Sequence, residues 1–149
     1  MTLRDFSSTV TYYAEVNGRD RLEAVLGVRM KKHVHGVVFA SPRDHEYDGM
    51  AHLWTRDAET AYWFSLTRAV DSDDIEVTVS DQLTYVSAEL DVTLCSTEIV
   101  VKVSAVAARA LDGYFEYVVV FHPESQDFFS VQKTLETIFR GKSGLVVST

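Results

Sequence analysis

One stretch of this chain limits the fold more than any other. Between Ser125 and Arg140, the residues Phe128, Val131, Leu135, Ile138 and Phe139 recur at steps of three and four, so they line one face of a helix. An apolar stripe of that kind has to be buried against another layer. The preceding sequence supplies the layer as strands: Thr9 to Val16, Val34 to Ala40, Ala61 to Val70, Leu83 to Val86, Ala88 to Leu94, Glu98 to Val103 and Phe115 to Phe121 are rich in Val, Ile, Thr, Tyr and Phe. Tyr62, Phe64 and Leu66 alternate with Trp63, Ser65 and Thr67, as a half-exposed antiparallel strand requires. Leu90, Val92 and Leu94 alternate in the same way, and Ser96-Thr97 connects them to Ile99-Val100-Val101 as a hairpin.

The expected fold class is therefore α+β: an antiparallel sheet of about five to seven strands packed against the C-terminal amphipathic helix and a shorter helix. The shorter helix is placed at Ala105 to Leu111, where Ser104 can cap the start and Gly113 can adopt the left-handed turn that stops it. For the long helix, Ser125 or Asp127 is expected to satisfy the first free amides, with Arg140 and Gly141 at the far end. Arg19 to Met30 fits a helix or a strand equally. With no linker-like run and no repeat, residues 1–149 are read as a single domain. Phe128, Leu135 and Ile138 are expected in the core, and a chain of this length needs neither metal nor disulfide to fold.

Charge is distributed unevenly. Lys+Arg 14 against Asp+Glu 22 leaves a net charge of -8, and all of the excess lies in the middle. Met1 to Arg43 carries +3 and Ile99 to Thr149 is balanced, whereas Asp44 to Glu98 holds thirteen carboxylates against Arg56 and Arg68. Such a balance argues against direct binding to nucleic acid or to anionic lipid. The single cysteine, Cys95, excludes an internal disulfide. Neither a charged-then-apolar leader after Met1 nor a long apolar run is present, so the cytoplasm is the expected location.

Several motifs are weighed as chemistry. His33 and His35 would project to one face of a strand and offer two metal ligands, but no third has metal-site spacing, and no cofactor is expected. Asp71 to Glu76 resembles a calcium loop only superficially, because Ile75 takes a ligand position and the turn glycine is missing; it reads as an acidic turn between strands. Cys95 with His52 or His122 has nothing nearby to activate the thiol. Trp54 and Trp63 read as core aromatics. The two acidic clusters, Asp44, Glu46, Tyr47 and Asp48 in one and Asp71, Asp73, Asp74 and Glu76 in the other, are the candidate partner-binding residues, since carboxylates steer a basic partner and tyrosine supplies contact area.

From about Ala61 to Gly141 the order of features resembles a family of small bacterial immunity proteins that neutralise polymorphic toxins. The likeness rests on an aromatic strand ending Leu66-Thr67-Arg68, the acidic turn Asp71 to Asp74 and two hairpin strands. It continues through Val106 to Gly113 reading Val-Ala-Ala-Arg-Ala-Leu-Asp-Gly, a Val-rich strand, and a helix ending Leu-Glu-Thr-Ile-Phe-Arg-Gly at Gly141. The Gly-rich pair of that family is missing at Ser80 to Ser87. The resemblance implies a cytoplasmic, non-enzymatic antitoxin-like inhibitor that binds a cognate toxin protein with a basic surface. The alternatives are a secretion-type chaperone or adaptor, and a small-ligand enzyme using a cleft between sheet and helix. The docking reading depends on whether the acidic clusters gather on one accessible surface or are neutralised by Arg29, Lys31 and Lys32.

Overall fold

Period-two alternation governs the chain from Lys31 onward. In a computed structural model, the described residues are 30–122, 124 and 126–148. The strand expected at Thr9 to Val16 lies outside them, as does Arg19 to Met30 apart from Met30 itself. By internal contacts, Lys32–Thr149 forms one unit. The elements are β1 (Lys31–His35), β2 (Phe39–Asp44), β3 (Met50–Arg56), β4 (Trp63–Arg68), β5 (Ile75–Val79), β6 (Leu83–Ser87), β7 (Asp91–Leu94), β8 (Glu98–Lys102), α1 (Ala105–Ala110), β9 (Glu116–Val120), α2 (Phe128–Ile138) and β10 (Leu145–Val147).

The α+β class holds, with the strands shared between two five-stranded sheets. One is an antiparallel meander in the order β2-β3-β4-β5-β6; the other is mixed, in the order β1-β9-β8-β7-β10, with β10 parallel to β7. The expected hairpin is β7 on β8, Asp91 opposite Lys102 and Leu94 opposite Ile99. Val34 to Ala40 is two strands, one in each sheet, separated at Gly36. A side chain there is impossible, because a Cβ would lie 2.4 Å from the Arg56 carbonyl oxygen. Pro42 sits within β2, which tolerates it because β2 is an edge strand and its register shifts between Ser41 and Asp44.

Both sheets turn their apolar faces inward onto one core. Leu53, Phe64, Leu66 and Val77 from the meander meet Leu94, Ile99, Val101 and Tyr117 from the mixed sheet, and the Phe64 and Tyr117 rings lie 5.3 Å apart. Helix α2 packs on β2, β3, β4 and β10, and it buries Val131, Leu135 and Ile138 completely while Phe128 is half-buried. Each large apolar side chain buried in this way stabilises the fold by about 1.5–3 kcal/mol. The helix caps follow the expected residues. Ser104 Oγ accepts the Ala107 amide, Asp127 accepts the Ser130 amide, and Gly113 and Gly141 have positive φ.

Polar groups join the sheets at the end opposite the acidic turns. Asp57, just after β3, accepts the His35 amide of the mixed sheet at 3.0 Å and the Glu59 and Thr60 amides at 2.9 and 3.0 Å. The His35 amide does most to hold its carboxyl down, followed by Thr60; burial opposes this in part, and the pKa falls to about 2. Asp112, after α1, accepts the hydroxyls of both Tyr62 and Tyr117. Burial foremost, then the hydrogen bond to the Asp112 carboxylate, raises both phenols above the ordinary tyrosine value.

Because folding depresses the Asp57 pKa, its contribution is complete at neutral pH and is lost as pH falls from about 4 to about 2. Asp57→Asn is expected to destabilise the protein by about 1–3 kcal/mol at pH 7 and to flatten that acid limb, read by denaturant titration across pH. The Thr134 hydroxyl on α2 is fully buried with no hydrogen-bond partner among the described residues. Thr134→Val is therefore expected to raise stability by roughly 1 kcal/mol, measured as a higher Tm.

Candidate functional site

A meander sends successive connections to alternate ends of its sheet. The β2–β3 and β4–β5 turns therefore emerge at the same end, and they carry the two acidic clusters. A Cβ on Gly49 in the first turn would lie 3.4 Å from Cγ2 of Val70 in the second. In the first, Asp44 accepts the Glu46 amide at 3.0 Å and starts a single 3-10 turn, His45–Tyr47, while Asp48 and Gly49 complete the reversal with positive φ. In the second, Ser72 Oγ accepts the Asp74 amide at 3.0 Å. Asp71, Asp73 and Asp74 form the expected acidic turn, but Ile75 and Glu76 belong to strand β5, with Ile75 buried and Glu76 exposed.

The second turn is anchored from below by Arg68, a charged side chain only 7% exposed. Its Nη1 donates to the carbonyls of Ile138 and Arg140, both at 2.8 Å, and its Nε to the Ser72 carbonyl at 2.7 Å. These are the unpaired carbonyls at and beyond the end of α2, where a cation is favoured. Arg140 was the cation expected there from sequence; its backbone accepts instead, and Arg68 from β4 supplies the charge. Asp73 lies 3.4 Å from Nη2 but is 95% exposed, so the pair adds little.

Between the acidic turns and the opposite rim lies the outer face of the meander. Two cross-strand rows define it. The first runs Ser41, His52, Thr67, Glu76 and Val86; the second runs Phe39, Trp54, Ser65, Thr78 and Thr84. Beyond them Arg56 pairs with Trp63. The tryptophans, expected in the core, are on this outer face. Alternation in β3 and β4 sends Leu53, Thr55, Phe64 and Leu66 inward, and Trp54 and Trp63, half-buried, outward. Their rings stack at 4.7 Å, Phe39 stacks on Trp54 at 4.5 Å, and the Arg56 guanidinium lies 5.7 Å over Trp63. Beside this stack an open groove of about 650 Å³ is lined by Tyr47, His52, Trp63, Thr67, Glu76 and Asp81, among others.

His52 is held in the groove wall by Asp44, with Nδ1 to Oδ2 at 3.5 Å, and by the edge of the Tyr47 ring, 5.1 Å between centroids. The structure thus brings seven of the eight candidate residues to one end of the sheet, in the turns or at strand ends beside them, with Glu76 leading from there onto the outer face. Lys32 stands at the other end, 4.5 Å above the Tyr62 ring, and does not neutralise them; Arg29 lies outside the described residues. His33 and His35 project side by side from β1, ring centroids 6.4 Å apart. Among the described residues, no three His, Cys, Asp or Glu side chains are grouped to hold a metal, and no helix is long and apolar enough to cross a membrane.

The chemistry this arrangement offers is recognition: aromatic edges and small hydroxyls on a rigid sheet, rimmed by carboxylates at one end. Arg68→Met is expected to cost about 2–3 kcal/mol, because it strands the α2 carbonyls, whereas Asp73→Ala is expected to cost under about 0.5 kcal/mol. Urea midpoints of the two variants check this, and an equal loss in both would refute the capping role. Neither a family model, nor a curated protein, nor a solved structure matches the chain.

Proposed function

We propose that this chain is a stoichiometric inhibitor of the immunity type, which docks the outer face of its meander sheet against a basic surface of a toxin protein. The observation that carries the reading is the convergence of both acidic turns at one end of an exposed aromatic face. Long-range attraction from Glu46, Asp48, Asp71 and Asp74 would accelerate encounter, and the tryptophan-centred face would supply the short-range burial on which affinity depends. Neither task needs a catalytic group or a cofactor. The resemblance between Ala61 and Gly141 supplies the class of partner, and the cytoplasm is where such an inhibitor would meet its target.

The test is protection. Where a neighbouring gene encodes a protein that ends in a toxic domain, co-expression of this chain with that protein is expected to rescue growth. Glu46, Asp71 and Asp74 changed together to Lys should leave the fold intact, since all three are exposed and Arg68 keeps its bonds. The changed protein is expected to associate with the toxic domain about tenfold or more slowly at low salt, with a flatter dependence on ionic strength. Absence of rescue by the unaltered chain would defeat the immunity reading. Rescue with unchanged association rates in the triple variant would displace the contact from this face.

A further inference from the structure

The groove beside the tryptophan stack has a chemistry of its own. One wall is Trp63, an aromatic face on which the chain already places a guanidinium, that of Arg56. Arg56 is itself exposed, and it enters the groove lining from the opposite rim to the acidic turns. Glu76 and Asp81 carry carboxylates in the same lining, both exposed, and neither has an ion-pair partner among the described residues. Thr67 and Thr78, on the paired strands β4 and β5, add hydroxyls to the same lining. A cavity of about 650 Å³ is far larger than one side chain needs, but it suits a short loop that carries one.

We propose that this groove receives an arginine side chain from the basic partner, and that Arg56 occupies the same aromatic face in the free protein as an internal stand-in. The inference rests on the docking reading above and specifies which chemical group enters and where. A guanidinium is favoured because it is planar, stacks on an aromatic ring and pairs with a carboxylate of the lining. Arg56 then has a definite consequence: it competes with the incoming group for Trp63, so its removal strengthens binding. A groove that merely tolerated positive charge would gain far less from losing one exposed arginine on the rim, and a structural role for Arg56 would predict the opposite sign.

The probe is an acetylated, amidated pentapeptide with one central arginine among glycines, set against the same peptide with citrulline, which keeps the shape without the charge. Trp54 and Trp63 are the two tryptophans of the chain, so their indole N–H signals in two-dimensional NMR report on the groove directly. The arginine peptide is expected to shift the Trp63 indole and the Thr67, Glu76 and Thr78 amides, and the citrulline peptide to leave them in place. Glu76→Gln should weaken the titration and Arg56→Ala should strengthen it, each about two- to fivefold. Both positions are exposed, so the folded spectrum is expected to survive either change. Equal shifts from the two peptides, shifts confined to residues 44–49 and 69–74, or weaker binding in Arg56→Ala would each overturn the proposal. A toxic partner whose binding is lost in the Glu46, Asp71 and Asp74 triple variant but unchanged in Glu76→Gln would refute the groove and leave the docking reading standing. One indifferent to both would remove both.

Discussion

A sheet of five antiparallel strands can bury only one of its faces beneath a single helix and a second sheet. Here that one-sidedness governs the rest. The inward residues of the meander, Leu53, Phe64, Leu66 and Val77, are consumed by the core shared with the mixed sheet and α2. The outward residues at the alternate positions carry no such constraint, so the face can hold tryptophans, a histidine, a glutamate and small hydroxyls without harm to folding. Large aromatic side chains left in such a position form an ordered stack of Phe39, Trp54 and Trp63, with Arg56 closing one end.

The same geometry positions the charge. Alternate connections of a meander share an end, and the β2–β3 and β4–β5 turns hold most of the candidate carboxylates. Like charges gathered at one end repel, and that arrangement persists only if the turns are fixed by something stronger. Asp44 and Ser72 fix them locally through hydrogen bonds to the Glu46 and Asp74 amides. Arg68 fixes the second turn from the core side, linking the Ser72 carbonyl to the end of α2. A single buried guanidinium thus completes the helix and holds the acidic turn in place. At the opposite end, Asp57 and Asp112 join the two sheets, so both ends are tied while the outer face between them stays open.

Much of this was legible residue by residue. The β4 alternation, the β7–β8 hairpin, both helices, their caps and the stopping glycines follow from local pattern, because period and capping chemistry act within a few residues. Three strands carry no such local mark, for the same reason. Met50 to Arg56 alternates cleanly, but its outward residues are His52 and Trp54, and a tryptophan between apolar neighbours looks like core. Ile75 to Val79 reads in part as turn because Glu76 follows the run Asp71 to Asp74. Leu145 to Val147 is only three residues long and is a strand because β7 offers it an edge.

Sequence by itself determined the α+β class, the single apolar stripe of α2 and the concentration of carboxylates between Asp44 and Glu98, since these depend on composition and on short-range periodicity. Tertiary structure alone decided that two sheets share the strands, that the acidic turns lie side by side, and that Trp54 and Trp63 face outward. It also decided that Arg68, not Arg140, meets the end of α2. Each of those outcomes is set by which strands pair and in what register. Pairing is fixed by the burial of distant side chains against one another, and no local window of the chain contains that information.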